Sequence, residues 1–275
     1  MITVENVSVE IAGKQLLREV SFVAKPGEVT GLIGPNGAGK STMLAVLSGD
    51  LDRTDGAVRI MDADPATTSN RAMARLRAVM LQDVSVSFEF LVRDVVAMGR
   101  RPWEGTDLAQ YDEELIDAAL VATDTAHLAG RDVVTLSGGE KARIALARVL
   151  AQHTPVIFLD EPTAALDIKH QEQVLGLVRR IAKETNVAVL VVLHDLNAAA
   201  AYCDHIVCLA NGTVTAQGRV DEVYTRETLS QVYGWPIDVR IDAEGRRSVH
   251  PARRQEIDTA TAFLRAISDA GNRGK

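Results

Sequence analysis

Residues 34–42 read GPNGAGKST and fit the spacing G-x-x-x-x-G-K-[ST]. A loop of this kind grips phosphates. Across Gly34, Pro35, Asn36, Gly37, Ala38 and Gly39 the glycines let the backbone N–H groups of the non-proline residues wrap around the phosphates, Lys40 brings a point charge to the terminal ones, and Thr42 continues into the helix that follows. Ser41 offers a hydroxyl to Mg²⁺. A second set of groups is acidic. The run VIFLDEP carries Asp160-Glu161, and two acids after four apolar residues are costly unless something uses them. Asp160 is placed to hold Mg²⁺, directly or through water, and Glu161 to polarise a water attacking the γ-phosphate. A helix-capping pair is the competing reading. His194 ends a third apolar run, VAVLVVL, and can reach the γ-phosphate from the same edge. Gln82 closes RAVMLQ and can offer its amide oxygen to the metal or the water. An ordinary polar loop residue is its alternative.

These residues need a scaffold that brings distant strand ends together. The runs GEVTGLIG, PVIFLDEP and NVAVLVVLHD are apolar without clean alternation, as strands covered on both faces are. Helix-period segments, such as KSTMLAVLSG and DIKHQEQVLGLVRRIAKET, lie between them. That alternation predicts an α/β core with a mainly parallel sheet, whose carboxyl edge gathers the strand ends. VSVEIAGKQLLREVSF reads instead as a hairpin around Ala12-Gly13-Lys14, an added antiparallel piece. From about residue 84 to 151 the pattern is helical and predicts an inserted subdomain. PIDVRIDAEGRRSVHP predicts a hairpin turning at Glu244-Gly245, and IDTATAFLRAI a last short helix.

The chain has 275 residues and is 47% hydrophobic, which is a globular composition. Its net charge of −7, without a dense basic stripe, argues against a nucleic-acid partner. Cys203 and Cys208, the only cysteines, flank a strand-like run and read as core residues. The longest apolar runs, VAVLVVL and AAAAY, are too short to cross a bilayer, and MITVENVSVEI lacks the basic start and apolar stretch of a secretory leader. The expectation is a chain at the cytoplasmic face of the membrane, with any membrane role reached through a partner.

One stretch poses a question. LSGGEKARIALAR, at 136–148, opens a second helix on Ser137, Gly138 and Gly139, a start able to face an anion. In order along the chain, the phosphate loop, Gln82, LSGGE, FLDEP, ALD at 165–167 and His194 resemble the ATP-binding cassette family. The resemblance covers residues 1–235 as a nucleotide-binding domain and leaves 236–275 as a C-terminal extension. It implies a phosphate-loop NTPase core with an N-terminal antiparallel β subdomain and an α-helical insert. It also implies ATP and Mg²⁺ as ligands, ATP hydrolysis as the activity, and a head-to-tail pair of copies. In that pair Ser137, Gly138 and Gly139 of one copy meet the γ-phosphate held by Lys40 of the other, with Asp167 communicating across the dimer.

Two departures stand out. The family often stacks an aromatic ring under adenine; the corresponding residue is Ile11, with Val9 nearby. The family's usual Ser before Asp167 is Ala164. VRDVVAMGRRPW looks like importers of iron–siderophore, haem and cobalamin, and LSGDL, SVSFEF and LSQVYGWPIDV look most like the haemin-import subgroup. That implies permease subunits as partners and, indirectly, a haem-binding protein. Siderophore or cobalamin import is the alternative cargo, and a soluble non-transport cassette the alternative class. Phe88, Phe90 and Trp103, in a chain only 4% aromatic, either line a groove for the permease or fill the small helical core.

Overall fold

A computed structural model describes residues 1–81 and 90–253, with positions 263, 265 and 267 beyond them. Gln82, Phe88 and most of the expected last helix lie outside the described residues; the three isolated positions are helical. Strands β1 (Ile2–Ile11) and β2 (Lys14–Ala24) pair antiparallel, Ile11 opposite Lys14. Ala12 and Gly13 between them both take positive φ, as a two-residue hairpin turn requires. Next come β3 (Val29–Ile33) and helix α1 (Lys40–Ser48), which enclose the glycine loop. Then β4 (Asp55–Ile60) returns to the other edge of β1, with Ile2 opposite Ile60, completing a three-stranded sheet in the order β2-β1-β4. The periodicity of residues 55–60 does not predict this third strand, because only Val58 and Ile60 of its six residues are buried.

Helix α2 (Asn70–Leu76) leads into β5 (Arg77–Met80). The insert follows, with α3 (Val92–Ala97), α4 (Asp112–Ala122) and α5 (Gly138–Ala151) joined by 3₁₀ turns. It has its own core, where Val92, Val96, Ile116, Leu120 and Ile144 meet. Trp103 belongs to this framework. Its indole N–H donates to the Gln152 carbonyl at 2.7 Å, and the guanidinium groups of Arg75 and Arg100 each lie 5.7 Å from its ring centre. Trp103 is half-buried and is not among the residues of that core.

The second half of the core is β6 (Val156–Asp160), α6 (Ile168–Thr185), β7 (Ala188–Val192), α7 (Leu196–Tyr202), β8 (His205–Ala210) and β9 (Thr213–Arg219). Short helices α8 (Val220–Val223) and α9 (Arg226–Tyr233) precede the hairpin β10 (Ile237–Ile241) and β11 (Arg247–Pro251), whose loop carries Gly245 at φ 79°. The six-stranded sheet runs β5-β6-β7-β3-β8-β9, parallel except for β9. β3, β6 and β7 are buried at every position, which explains their unbroken apolar runs. Alternate residues serve opposite layers. Ile157, Leu159, Val189 and Val191 pack with α5, α6 and α7, whereas Phe158, Leu190 and Val192 pack with α1 and the antiparallel sheet. Cys203 and Cys208 are buried free thiols in the first of these layers, and burial pushes both thiols up to about 12.

Candidate active site

Strand register sets the site. Asp160 pairs with Val192, and Val192 with Leu32. Glu161, His194 and Gly34 therefore all leave the same edge of the sheet, one or two residues past these partners. The loop from Gly34 to Lys40 is shaped by its glycines. A Cβ on Gly34, at φ 150°, would sit 2.0 Å from the Leu209 carbonyl oxygen; one on Gly39, at φ 102°, would sit 2.6 Å from the Leu17 side chain. Gly39 caps α1 with no side-chain hydrogen bond, and no acid stands in the first turn. The helix start is thus left bare, as an anion site needs.

Lys40 is 7% exposed, and its ammonium donates to the carbonyls of Gly34 at 2.7 Å and Pro35 at 3.0 Å. Burial pulls its pKa down, while the charges of Glu161 and Asp160 pull the other way. A cavity of about 760 Å³ opens above it. Asn36, Gly37, Ala38, Gly39, Lys40, Ser41 and Thr42 form its floor, with Glu161 and His194 on one side. Gly34, Pro35 and Asp160 are not among the residues facing it.

Asp160 ends β6, 7% exposed, and its Oδ1 is buried without a hydrogen-bond partner among the described residues. Burial raises its carboxyl above the usual range and the neighbouring Glu161 charge adds to this, against the pull of His194 and Lys40. Glu161 takes φ 49°, a left-handed conformation that costs about 1 kcal/mol for a side chain of this kind. Its N–H donates to the Val192 carbonyl at 3.1 Å, so the chain turns off the sheet there. Its Oε1 lies 2.5 Å from His194 Nε2. An orphaned acidic oxygen fits a hard divalent cation such as Mg²⁺. Among the described residues no three His, Cys, Asp or Glu side chains cluster to hold a metal.

The second glycine-bearing helix start is built differently. Ser137 caps α5, and its Oγ accepts from the Glu140 N–H at 3.3 Å. The Glu140 carboxylate in turn accepts from the Ser137 N–H and hydroxyl, both at 2.8 Å, a closed capping box. These bonds hold the Glu140 carboxyl below its usual range. Ser137, Gly138 and Gly139 do not face the cavity; a Cβ on Gly139 would lie 3.3 Å from the Ala165 carbonyl oxygen, on the turn after Glu161. Asp167 caps α6, its Oδ1 accepting from the His170 N–H at 2.9 Å. Ala164 donates its N–H to the Glu161 carbonyl at 3.2 Å. The acidic pair, Ala164, Asp167 and the α5 start are thus parts of one continuous surface.

At the far end of the cavity stand Lys14, Gln15, Leu16, Asn211 and Gly212. Ile11 is 47% exposed at the hairpin tip and is not among the lining residues, while Val9 is buried in the core. The sequence reading missed Asn211-Gly212, although Asn-Gly between two apolar runs signals a hairpin turn. What the signal cannot reveal is its destination. Gly212 donates its N–H to the Ala38 carbonyl at 3.1 Å and accepts from the Arg18 N–H at 2.8 Å, joining the phosphate loop to β2. Phe90 is 37% exposed at the start of the insert, and its carbonyl accepts from the Val133 N–H.

The sequence profile described as ABC transporter matches residues 17–164. The chain is 52% identical over 227 residues, 82% of its length and 78% of the relative's, to the hemin import ATP-binding protein HmuV of Nocardia farcinica. It is 42% identical to the cobalamin import ATP-binding protein BtuD of Halobacterium salinarum, over 98% of this chain and 71% of that one. Among solved structures, a chain of an inward-facing ABC transporter described as of metal-chelate type superposes with a TM-score of 0.78 at 26% identity, covering 92% of this chain and 98% of that one. A dimeric ATP-binding cassette in a post-hydrolysis state with ADP and phosphate superposes at 0.72 and 26% identity, covering 80% and 99%. Among the described residues, no helix is long and apolar enough to cross a membrane.

Proposed function

The chain belongs to the ABC transporter family as an ATP-hydrolysing cassette, and from that premise we propose that it energises haem import as a head-to-tail pair bound to permease subunits at the cytoplasmic face of the membrane. The observation that carries the hydrolytic reading is the Glu161–His194 contact of 2.5 Å beside a bare, glycine-shaped helix start. Backbone N–H groups of residues 36–41 cradle the phosphates, and Lys40 exchanges its two loop carbonyls for phosphate oxygens. Glu161 accepts a proton from the water whose oxygen attacks the γ-phosphorus as the bond to the β-phosphate oxygen breaks. His194 holds the Glu161 carboxylate in place and contacts the γ-phosphate. Ser41, Asp160 and Gln82 would hold Mg²⁺, which supplies charge neutralisation along the phosphates. Ser137, Gly138 and Gly139 of the second copy close the site, an anion at a helix start being favoured by about 0.3–1 kcal/mol when exposed and up to about 2 when partly buried. Cleavage removes the bridging phosphate, and the pair reopens.

The cargo reading rests on similarity. Relatives 46–52% identical to this chain carry the hemin import name. A second cargo, cobalamin, is favoured by the relative that matches 98% of the chain. The test is ATPase of the reconstituted complex with its permease and external binding protein. Stimulation by haem-loaded binding protein supports haem; stimulation by cobalamin or a ferric siderophore instead replaces it. Failure to copurify with any integral membrane protein would remove the transport reading altogether.

A further inference from the structure

His194 stands on the short link between β7 and α7, and its side chain is 47% exposed. α7 has seven residues, with Ala199 buried and Leu196, Ala198, Ala200 and Tyr202 partly buried against the main core. Three sets of hydrogen bonds add to that packing at its first turn. Asp195 caps it, accepting from the N–H groups of Asn197 at 2.8 Å and Ala198 at 3.2 Å. The phenol of Tyr224, at the end of α8 and 2% exposed, donates to the Leu196 carbonyl at 2.9 Å. The Asn197 side chain, finally, grips β11: its Oδ1 accepts from the Val249 N–H at 2.7 Å and its Nδ2 lies 3.5 Å from the Val249 carbonyl.

The last bond is a strand-like pairing. In the β10–β11 ladder Ala252 donates to the Pro236 carbonyl, and antiparallel bonds recur on alternate residues. Val249 therefore turns its own N–H and C=O outward, to the free edge, where the Asn197 amide meets both. The hairpin has a foundation of its own. Ile237 and Val249 are buried in the main core, the Ile237 N–H donates to Ser230 Oγ at 2.9 Å, and the Trp235 indole donates to the Ala252 carbonyl at 2.8 Å.

We infer that Tyr224 and Asn197 are positioning residues for hydrolysis: through them the C-terminal segment clamps the first turn of α7 and so fixes the backbone from which His194 reaches Glu161. The inference rests on the hydrolytic role proposed for His194. Through a bond that spans 52 residues, from Val249 to Asn197, it gives the C-terminal hairpin a task in the chemistry of the site.

The test compares the full-length wild-type chain with Tyr224→Phe, Asn197→Ala and their combination, each also made with His194→Ala. Tyr224→Phe keeps the ring and removes only the donor. The combined variant is expected to lose about tenfold in kcat with the KM for ATP within about twofold of wild type, the loss expected when an aligned group loses its alignment. In the His194→Ala background the same two changes should alter kcat by less than about twofold, since residues that act through a third cannot act once it is gone. An equal tenfold loss without His194, or unchanged kcat with His194 present, overturns the inference while leaving the hydrolytic reading intact. A His194→Ala protein that turns over normally overturns both.

Discussion

Helices α1 and α5 both carry glycine at their starts, and the two starts are built differently. α1 starts at Gly39 with no side-chain cap, no acid in its first turn and a cavity above it. α5 follows Ser137, where a capping box engages the N–H groups of Ser137 and Glu140, with a carboxylate among the acceptors, and its start does not line that cavity. The first has the form that an anion site needs. The second carries a carboxylate of its own, Glu140, bonded to Ser137. Glycine at a helix start thus permits anion binding without specifying it; what the neighbouring side chains do to the first N–H groups decides.

The largest effect should come from the acid beside the open helix. Glu161→Gln removes the proton acceptor and is expected to lower kcat by about 100-fold or more while ATP still binds and holds the pair together. Gel filtration with ATP and single-turnover hydrolysis check both halves; normal turnover would remove Glu161 from its role. Lys40→Ala strips the charge from the open site and should weaken ATP binding by about 10- to 100-fold, as loss of a charge-assisted bond to phosphate does, read by fluorescent-nucleotide titration.

A pH series sharpens the electrostatic side of the comparison. Asp160 has its carboxyl raised by burial first and Glu161 second, so its proton persists above the usual carboxylate range. A divalent cation must displace that proton. Apparent Mg²⁺ affinity in the presence of ATP should therefore rise with pH through this window, by up to about tenfold per unit, and level off above it. Stability of the nucleotide-free chain runs the other way. The fold binds this proton more tightly than the unfolded chain does, so the contribution is complete at low pH and is lost as pH rises through the raised pKa. Asp160→Asn should flatten both slopes, and a slope that survives it would assign them to another group.

The smallest effect concerns the closed helix. Glu140→Gln keeps a group able to accept from Ser137 but removes a negative charge from the place where a partner's phosphate arrives. ATP-dependent association should tighten about two- to fivefold, a surface-electrostatic magnitude. Weaker association, by analytical ultracentrifugation, would mean that the carboxylate assists the approach.

Much of the open site is legible in the sequence, because its residues are identities with one use. GPNGAGKST specifies a phosphate loop, and Asp160, Glu161 and His194 stand directly after apolar runs whose burial on both faces fixes their register. The alternating helices and strands likewise reveal the parallel core. Less local facts are illegible. That β4 joins β1 depends on pairing across 50 residues or so of chain. Gly212 reaches Ala38, and Asn197 reaches Val249, only through the closed fold. The positive φ of Glu161 leaves no compositional trace, since no glycine marks it. The capping box was readable as S-x-x-E, yet its consequence was not: the same residues that suggest an anion site are the ones that close it.

The central claim is that each ATP is held between two copies, by the open helix of one and the closed helix of the other. The most direct measurement is a cryo-microscopy map of the ATP- and Mg²⁺-loaded Glu161→Gln transporter. The expected result is the Ser137 hydroxyl released from Glu140 and within hydrogen-bond distance of the γ-phosphate that the partner subunit's Lys40 contacts. A map in which Ser137 keeps its capping box and stands remote from both nucleotides would contradict it.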